Sequence, residues 1–154
     1  MVIRNEQQAL CVAMEMEKRA IRVYERALMI CRDEKVIAGI KEILADEKEH
    51  LRRFTEMRNA CPMDQSEERM LVQAVAAEML FPGGVMELER AKGLSTIEGL
   101  YAYAAESEKT AVENYLAFAK KCENPAIAEA FMSIAREEST HQNDLRHKLE
   151  NVRA

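Results

Sequence analysis

The sequence predicts an all-α protein, a four-helix bundle built from two repeated helical hairpins joined by a long crossover. Apolar residues recur at steps of three and four, which is the period of an amphipathic helix. The chain of 154 residues contains only five Gly and three Pro, which favours long uninterrupted helices. Residues 15–24 (EMEKRAIRVY) reappear 91 positions later as residues 106–115 (ESEKTAVENY), so one hairpin is used twice.

Four long helices follow from the periodicity, and they are expected over residues 5–31, 34–59, 96–122 and 126–151. Asp33 is predicted to cap the second helix, and Ser95 to Glu98 read as a capping box for the third. Asn124-Pro125 reads as a cap followed by a first-turn proline. Because the loops within each hairpin are short, its two helices should be antiparallel neighbours. Hairpins 5–59 and 95–152 would then form a single domain spanning residues 1–154.

The crossover, residues 60–94, differs from the hairpins because it contains chain breaks at Cys61-Pro62 and at 81–84 (FPGG). Between and after these breaks the sequence predicts two short helices, over residues 66–80 and 85–92. A segment of this length can run the length of the bundle. Its helices could cover the bundle or mediate association, and the sequence does not decide between these roles.

The repeat includes six residues that commonly bind metals. Glu-x-x-His occurs twice, and a lone Glu precedes each copy by the same interval; the set is Glu17, Glu47 and His50, repeated as Glu108, Glu138 and His141. In Glu-x-x-His the two side chains lie one turn apart on one face, so both can reach one centre. A single copy would be read as an accident of an exposed helix face, but two copies in register argue against that interpretation.

All six residues fall on the apolar stripe of their own helix, so the fold would bury them together. Burying four carboxylates is untenable unless they protonate or cations neutralise them. Two divalent ions match the charge of four ionised Glu, and no basic residue lies on these stripes nearby. The sequence therefore predicts a two-metal site. Carboxylate oxygens with one imidazole for each metal suit iron and manganese, and they tolerate zinc.

The order Glu, Glu-x-x-His, Glu, Glu-x-x-His on four helices resembles the ferritin-like superfamily, in particular rubrerythrin and more distantly bacterioferritin. The resemblance covers roughly residues 5–59 and 95–152 and implies a ferritin-like bundle holding two iron ions. It also implies that Glu47 and Glu138 bridge the metals, with Glu17 and His50 completing one and Glu108 and His141 the other. Tyr24 and Tyr115 match a family position whose tyrosine hydrogen-bonds to ligand carboxylates, and the resemblance implies that both are catalytic residues.

Departures from the family pattern narrow the expected chemistry. None of the four cysteines forms the Cys-x-x-Cys pair of a rubredoxin iron site, so an external protein or small reductant should supply electrons. Ala105 and Ala111 stand one turn either side of Glu108, near where rubrerythrin carries an additional Glu. Lys48 occupies the position of the haem-ligating Met of bacterioferritin, so no haem is expected.

These observations predict a class of reaction, the partners of the protein and its cellular location. The first expectation is a di-iron oxidoreductase that reduces hydrogen peroxide or dioxygen. The alternatives are a ferroxidase that handles iron, and a redox-silent bundle holding zinc or manganese. A net charge of −5 offers no basic surface for nucleic acid, and no apolar run approaches the ~20 residues of a membrane span. No secretory signal is evident, so a cytoplasmic location is expected. The protein is also expected to form a homodimer.

Two further acidic residues accompany the repeated motif. Asp46 and Glu137 directly precede the bridging Glu of each copy, and each lies four residues before the histidine of its own helix. Such a carboxylate can orient a metal-bound imidazole. The other interpretation is that both belong to a solvated helix face.

Overall fold

A computed structural model describes residues 3–80 and 93–154, and in this part of the chain the only regular secondary structure is helix. The helices are α1 (Glu6–Ile30), α2 (Glu34–Ala60), α3 (Gln65–Leu80), α4 (Ile97–Ala119) and α5 (Pro125–Arg153). The predicted all-α class is therefore confirmed. None of the helices in these two stretches is both long and apolar enough to cross a membrane.

Side-chain caps fix where the helices begin. Asp33 accepts hydrogen bonds from the second and third backbone N–H groups of α2, and Asn124 caps α5 ahead of its first-turn proline, both as predicted. The predicted cap of α4 was wrong by one residue. Thr96, rather than Ser95, has the extended backbone of an N-cap, and its hydroxyl accepts from the Gly99 N–H at 3.0 Å. The α4 helix also ends at Ala119, three residues earlier than expected.

The first crossover helix, α3, forms where the sequence predicts it and packs against the first hairpin. Gln8 on α1 donates to Glu67 at 3.5 Å, and Arg58 at the end of α2 pairs with Glu68. Val75 of α3 is buried in the core. This half of the crossover therefore covers one end of the bundle, whereas the second predicted helix, over 85–92, lies outside the described residues.

Two large apolar clusters fill the described bundle, one toward each end, and a small third cluster consists of Ala104, Ala105 and Leu145. The first contains an aromatic group that packs edge to face or tilted, with neighbouring centroids 5.3–6.1 Å apart: Phe54, Tyr115, Phe118 and Phe131. The second contains Tyr24, Ile40 and Leu100. On α1, Met14 belongs to the first cluster and Ile21 to the second, so the polar Glu17 lies between them. The apolar ends thus enclose a polar layer at mid-bundle.

Candidate metal centre

The polar layer consists of the residues that the repeat singles out. Among the described side chains, the only buried polar or charged ones are five of the six predicted ligands: Glu17, Glu47, His50, Glu108 and Glu138. The sixth, His141, is half-buried, with 32% of its side chain exposed. Helices α1 and α4 each contribute one Glu, and α2 and α5 each contribute a Glu-x-x-His pair. The fold therefore assembles the set from four separate helices.

Each repeat unit forms its own potential metal-binding cluster. Glu17, Glu47 and His50 each offer a ligand atom within 4.8 Å of the other two, and so do Glu108, Glu138 and His141. One imidazole and two carboxylates are a donor set that suits divalent iron or manganese. Two such clusters lie in one polar layer, and each could hold a metal ion.

The two imidazoles have the same orientation. Nδ1 of His50 lies 2.9 Å from Glu138 Oε1 and 3.8 Å from Glu17 Oε1, while its Nε2 faces outward. Nδ1 of His141 lies 4.0 Å from the same Glu138 oxygen. Nδ1 is therefore the atom that each histidine presents to the centre. Glu138 Oε1 therefore lies close to both histidines.

Several of these atoms lack the hydrogen bonds that buried polar groups normally make. Glu17 Oε2, His50 Nδ1, Glu108 Oε2 and Glu138 Oε1 are buried without a hydrogen-bond partner. His50 Nδ1 and Glu138 Oε1 are 2.9 Å apart, yet their angles do not form a hydrogen bond. Leaving such groups unsatisfied costs ~1–3 kcal/mol each, and more if they are charged. Cations bound between these atoms would satisfy them, so the donor set fits two metal ions.

Burial and mutual repulsion raise the pKa of every carboxyl group in the layer. Burial, with smaller contributions from neighbouring carboxylates, raises the pKa of Glu17 to about 7 and that of Glu138 to about 8. Burial and a hydrogen bond with Glu138 raise the pKa of Glu108 to about 10, and burial raises that of Glu47 well above its ordinary range. The metal-free layer therefore retains protons at neutral pH, and metal binding must displace them.

The two predicted tyrosines lie on either side of the polar layer. The Tyr115 hydroxyl donates a hydrogen bond of 2.5 Å to Glu17 Oε1, from α4 of one hairpin to α1 of the other. Tyr24 packs edge to face on Tyr103 at 6.0 Å, and it lines the same cavity as the four Glu side chains. Burial raises the pKa of both phenols, so both remain protonated at neutral pH. Tyr115 is thus a fixed hydrogen-bond donor to one predicted ligand.

The outward Nε2 atoms face carboxylates of the opposite hairpin, which the sequence did not reveal. His50 Nε2 lies 3.7 Å from Glu137 on α5, and His141 Nε2 lies 3.6 Å from Asp46 on α2. Arg53 Nη1 in turn donates to Glu137 at 2.7 Å. The 91-residue offset marks Asp46 and Glu137 as repeat mates but does not tell pairing within a helix from pairing across hairpins. Asp46 and Glu137 could therefore be singled out from the sequence, but the histidine that each one faces could not.

The two halves of the layer are not equivalent, although their ligands repeat. Only 3% of the His50 side chain is exposed, and its carboxylate neighbour is held by Arg53. His141 is about one-third exposed. The position equivalent to Arg53 in the second repeat is Asp144, so the sequence supplies no matching cation there. The half that contains His141 is therefore more accessible to solvent.

An all-helical bundle with two glutamate–histidine clusters at its centre has the features of a ferritin-like, metal-binding protein. The family model described as Rubrerythrin matches residues 100–154, which include most of α4, all of α5 and the second ligand triad. Fold and match together support a rubrerythrin-like, ferritin-like protein. Comparison with curated proteins and with solved structures gave no significant match. A metal, typically iron in this family, fits the two clusters.

Proposed function

We propose that this chain is a di-iron carboxylate oxidoreductase that reduces hydrogen peroxide or dioxygen and is then re-reduced by an external electron donor. The observation that carries the proposal is the pair of glutamate–histidine clusters whose buried ligand atoms lack other partners. The rubrerythrin-like second hairpin favours iron over other divalent ions. The 154 residues contain no Cys-x-x-Cys for a second iron site, which is why a separate donor is proposed.

Each residue of the centre has a defined task in this proposal. Glu47 and Glu138 would bridge the ions, Glu17 and His50 would complete one, and Glu108 and His141 the other. Bound iron would supply the two electrons that reduction of an O–O bond requires. The Tyr115 hydroxyl holds Glu17 in place by its hydrogen bond. Glu137 and Asp46 face the Nε2 atoms and favour the tautomer that leaves Nδ1 free for the metal.

Rapid mixing tests the proposal and separates it from its alternatives. Protein loaded anaerobically with two Fe(II) per chain is mixed with hydrogen peroxide or dioxygen at equal concentration, and iron oxidation is followed by absorbance. The proposal expects oxidation, faster with peroxide than with dioxygen. Faster oxidation by dioxygen, with repeated turnover of added Fe(II), would support a ferroxidase instead. Inertness toward both oxidants would support a redox-silent zinc or manganese bundle.

The test variant must lose a ligand of the centre, and the control variant must lose a carboxylate outside the polar layer. Glu138→Ala removes the carboxylate that lies close to both histidines, so rapid oxidation should disappear. Glu49→Ala removes an exposed carboxylate of α2 that pairs with Arg52, and it should oxidise like the wild type. Equal rates in both variants would place the reaction outside the polar layer.

A further inference from the structure

A large cavity reaches the polar layer from the side between α1 and α4. Its volume is about 720 Å³, and its lining includes the carboxylates of Glu17, Glu47, Glu108 and Glu138 but neither histidine. The histidines approach the centre from α2 and α5, so the cavity meets the layer on its other side. A molecule in this cavity would contact the face of the centre that the imidazoles leave open.

Two alanines at repeat-related positions keep this approach open. Ala20 and Ala111 lie three residues after Glu17 and Glu108, and both line the cavity. A larger side chain at either position would extend over the neighbouring carboxylate, because residues three apart on a helix lie on the same face. The space above the centre thus depends on two small residues, one from each hairpin.

The cavity is far larger than hydrogen peroxide requires. A water molecule takes up about 30 Å³ in the liquid, and peroxide is roughly twice as large. Protein sites for small organic molecules have volumes of about 300–1,000 Å³ and walls that are mostly apolar. The 720 Å³ here falls within that range. Its apolar walls are formed by Val12, Met16, Val75, Tyr103 and Phe118.

Among the described residues, the polar groups that line the cavity lie in three places. They are the carboxylate floor, Arg19 on α1, and a set on α4 that consists of Glu106, Ser107, Thr110 and Asn114. Thr110 is exposed, so this set lies toward the solvent side. The other described residues of the wall are apolar or aromatic. A ligand that matches this distribution has a small polar head and a compact apolar body.

From this geometry we infer that the cavity binds the organic part of an alkyl or aryl hydroperoxide, with the O–O group at the carboxylate floor. The inference rests on the proposed function and names its substrate class. In the net step the O–O bond of ROOH breaks, two electrons from the external donor and two protons are taken up, and the alcohol ROH and water are released. The apolar walls hold R, which hydrogen peroxide lacks.

Binding is tested without redox chemistry by using the alcohol product. Zinc-loaded protein is titrated with 2-phenylpropan-2-ol, the product of cumene hydroperoxide, and binding is followed by NMR. Saturable binding is expected, weakened at least tenfold by Ala20→Phe or Ala111→Phe. Ala117→Phe changes an exposed alanine of α4 that is not in the cavity wall, so it should bind as the wild type does. Absent binding, or equal binding by all variants, would overturn the inference.

A second measurement keeps the inference separate from the proposed function. With the di-Fe(II) protein, Ala111→Phe should slow oxidation by cumene hydroperoxide at least tenfold more than oxidation by hydrogen peroxide, which needs little of the cavity. If both oxidants slow equally, the substrate inference fails while the peroxide reaction stands. If the wild type reacts with neither oxidant, the proposed function fails. The alcohol titration then shows by itself whether the cavity binds an organic molecule. Ala20→Leu, a smaller change, replaces any phenylalanine variant that does not fold.

Discussion

Metal binding should reverse the pH dependence of this protein's stability. Burial raises the pKa of Glu138 from its ordinary value of 4.5 to about 8, and that of Glu17 to about 7. The folded metal-free protein therefore holds these protons more tightly than the unfolded chain does. Stability from the protonated groups is fully present below pH 4.5 and is lost as the pH rises through about 8.

The size of the effect follows from a single carboxyl group. A pH of 7 lies about 2.5 units above the ordinary pKa of a glutamate, so Glu138 has lost its proton in the unfolded chain. In the folded protein the same group still holds its proton. At ~1.36 kcal/mol per unit, this one group lowers the free energy of unfolding by about 3 kcal/mol between pH 4.5 and 7. Domains are typically stable by only ~5–15 kcal/mol, so the loss is large. The four groups compete for protons, so their contributions do not simply add.

Urea unfolding from pH 5 to pH 8 measures this dependence in metal-free and zinc-loaded protein. The metal-free form should lose ~3 kcal/mol or more across the range. The zinc-loaded form should gain stability with pH, because metal binding requires deprotonated ligands. Glu138→Gln should flatten the metal-free curve by about 3 kcal/mol, whereas Glu49→Gln, which changes an exposed carboxylate, should leave its slope unchanged. Superimposable curves for the metal-free and zinc-loaded wild type would refute the reasoning.

Three further predictions concern single side chains of the centre. Tyr115→Phe removes the hydrogen bond to a ligand and should weaken Co(II) binding ~10–100-fold in competition titrations; unchanged affinity would contradict that role. Arg53→Ala frees the carboxylate beside His50 and should shift the His50 ring signals in NMR spectra of the zinc form, whereas Arg52→Ala, at an exposed ion pair, should not. His50→Ala and His141→Ala should weaken metal binding by similar factors, but only the buried His50 should also destabilise the metal-free fold markedly.

The helical architecture could be predicted from the sequence because several independent features agree. The 91-residue repeat, the apolar stripes and the polar caps all point to the same two hairpins. Asp33 and Asn124 were correctly placed because an N-cap depends on residues within one turn. The cap at Ser95 was misplaced because Thr96, its neighbour, can make the same bond. Where Ser and Thr are adjacent, either residue can be the N-cap, and the backbone geometry decides which one is.

The residues of the polar layer could also be predicted from the sequence, but the contacts between those residues and their neighbours could not. Six polar residues on apolar stripes mark a buried site, since the pattern is a property of each helix alone. The contacts of His50 with Glu137 and of His141 with Asp46 depend on how the two hairpins face each other. The cavity likewise depends on the space between α1 and α4. Both are tertiary features, and periodicity within a helix does not encode them.

Anaerobic Co(II) titration of metal-free protein, followed by visible absorbance, tests the central claim most directly. Saturation at about two ions per chain is expected, because each of the two clusters offers two carboxylates and one imidazole. The double variant Glu47→Ala with Glu138→Ala should lose paired binding, since both proposed bridging ligands are absent. Saturation at about one ion per chain, or no binding, would contradict the dinuclear centre.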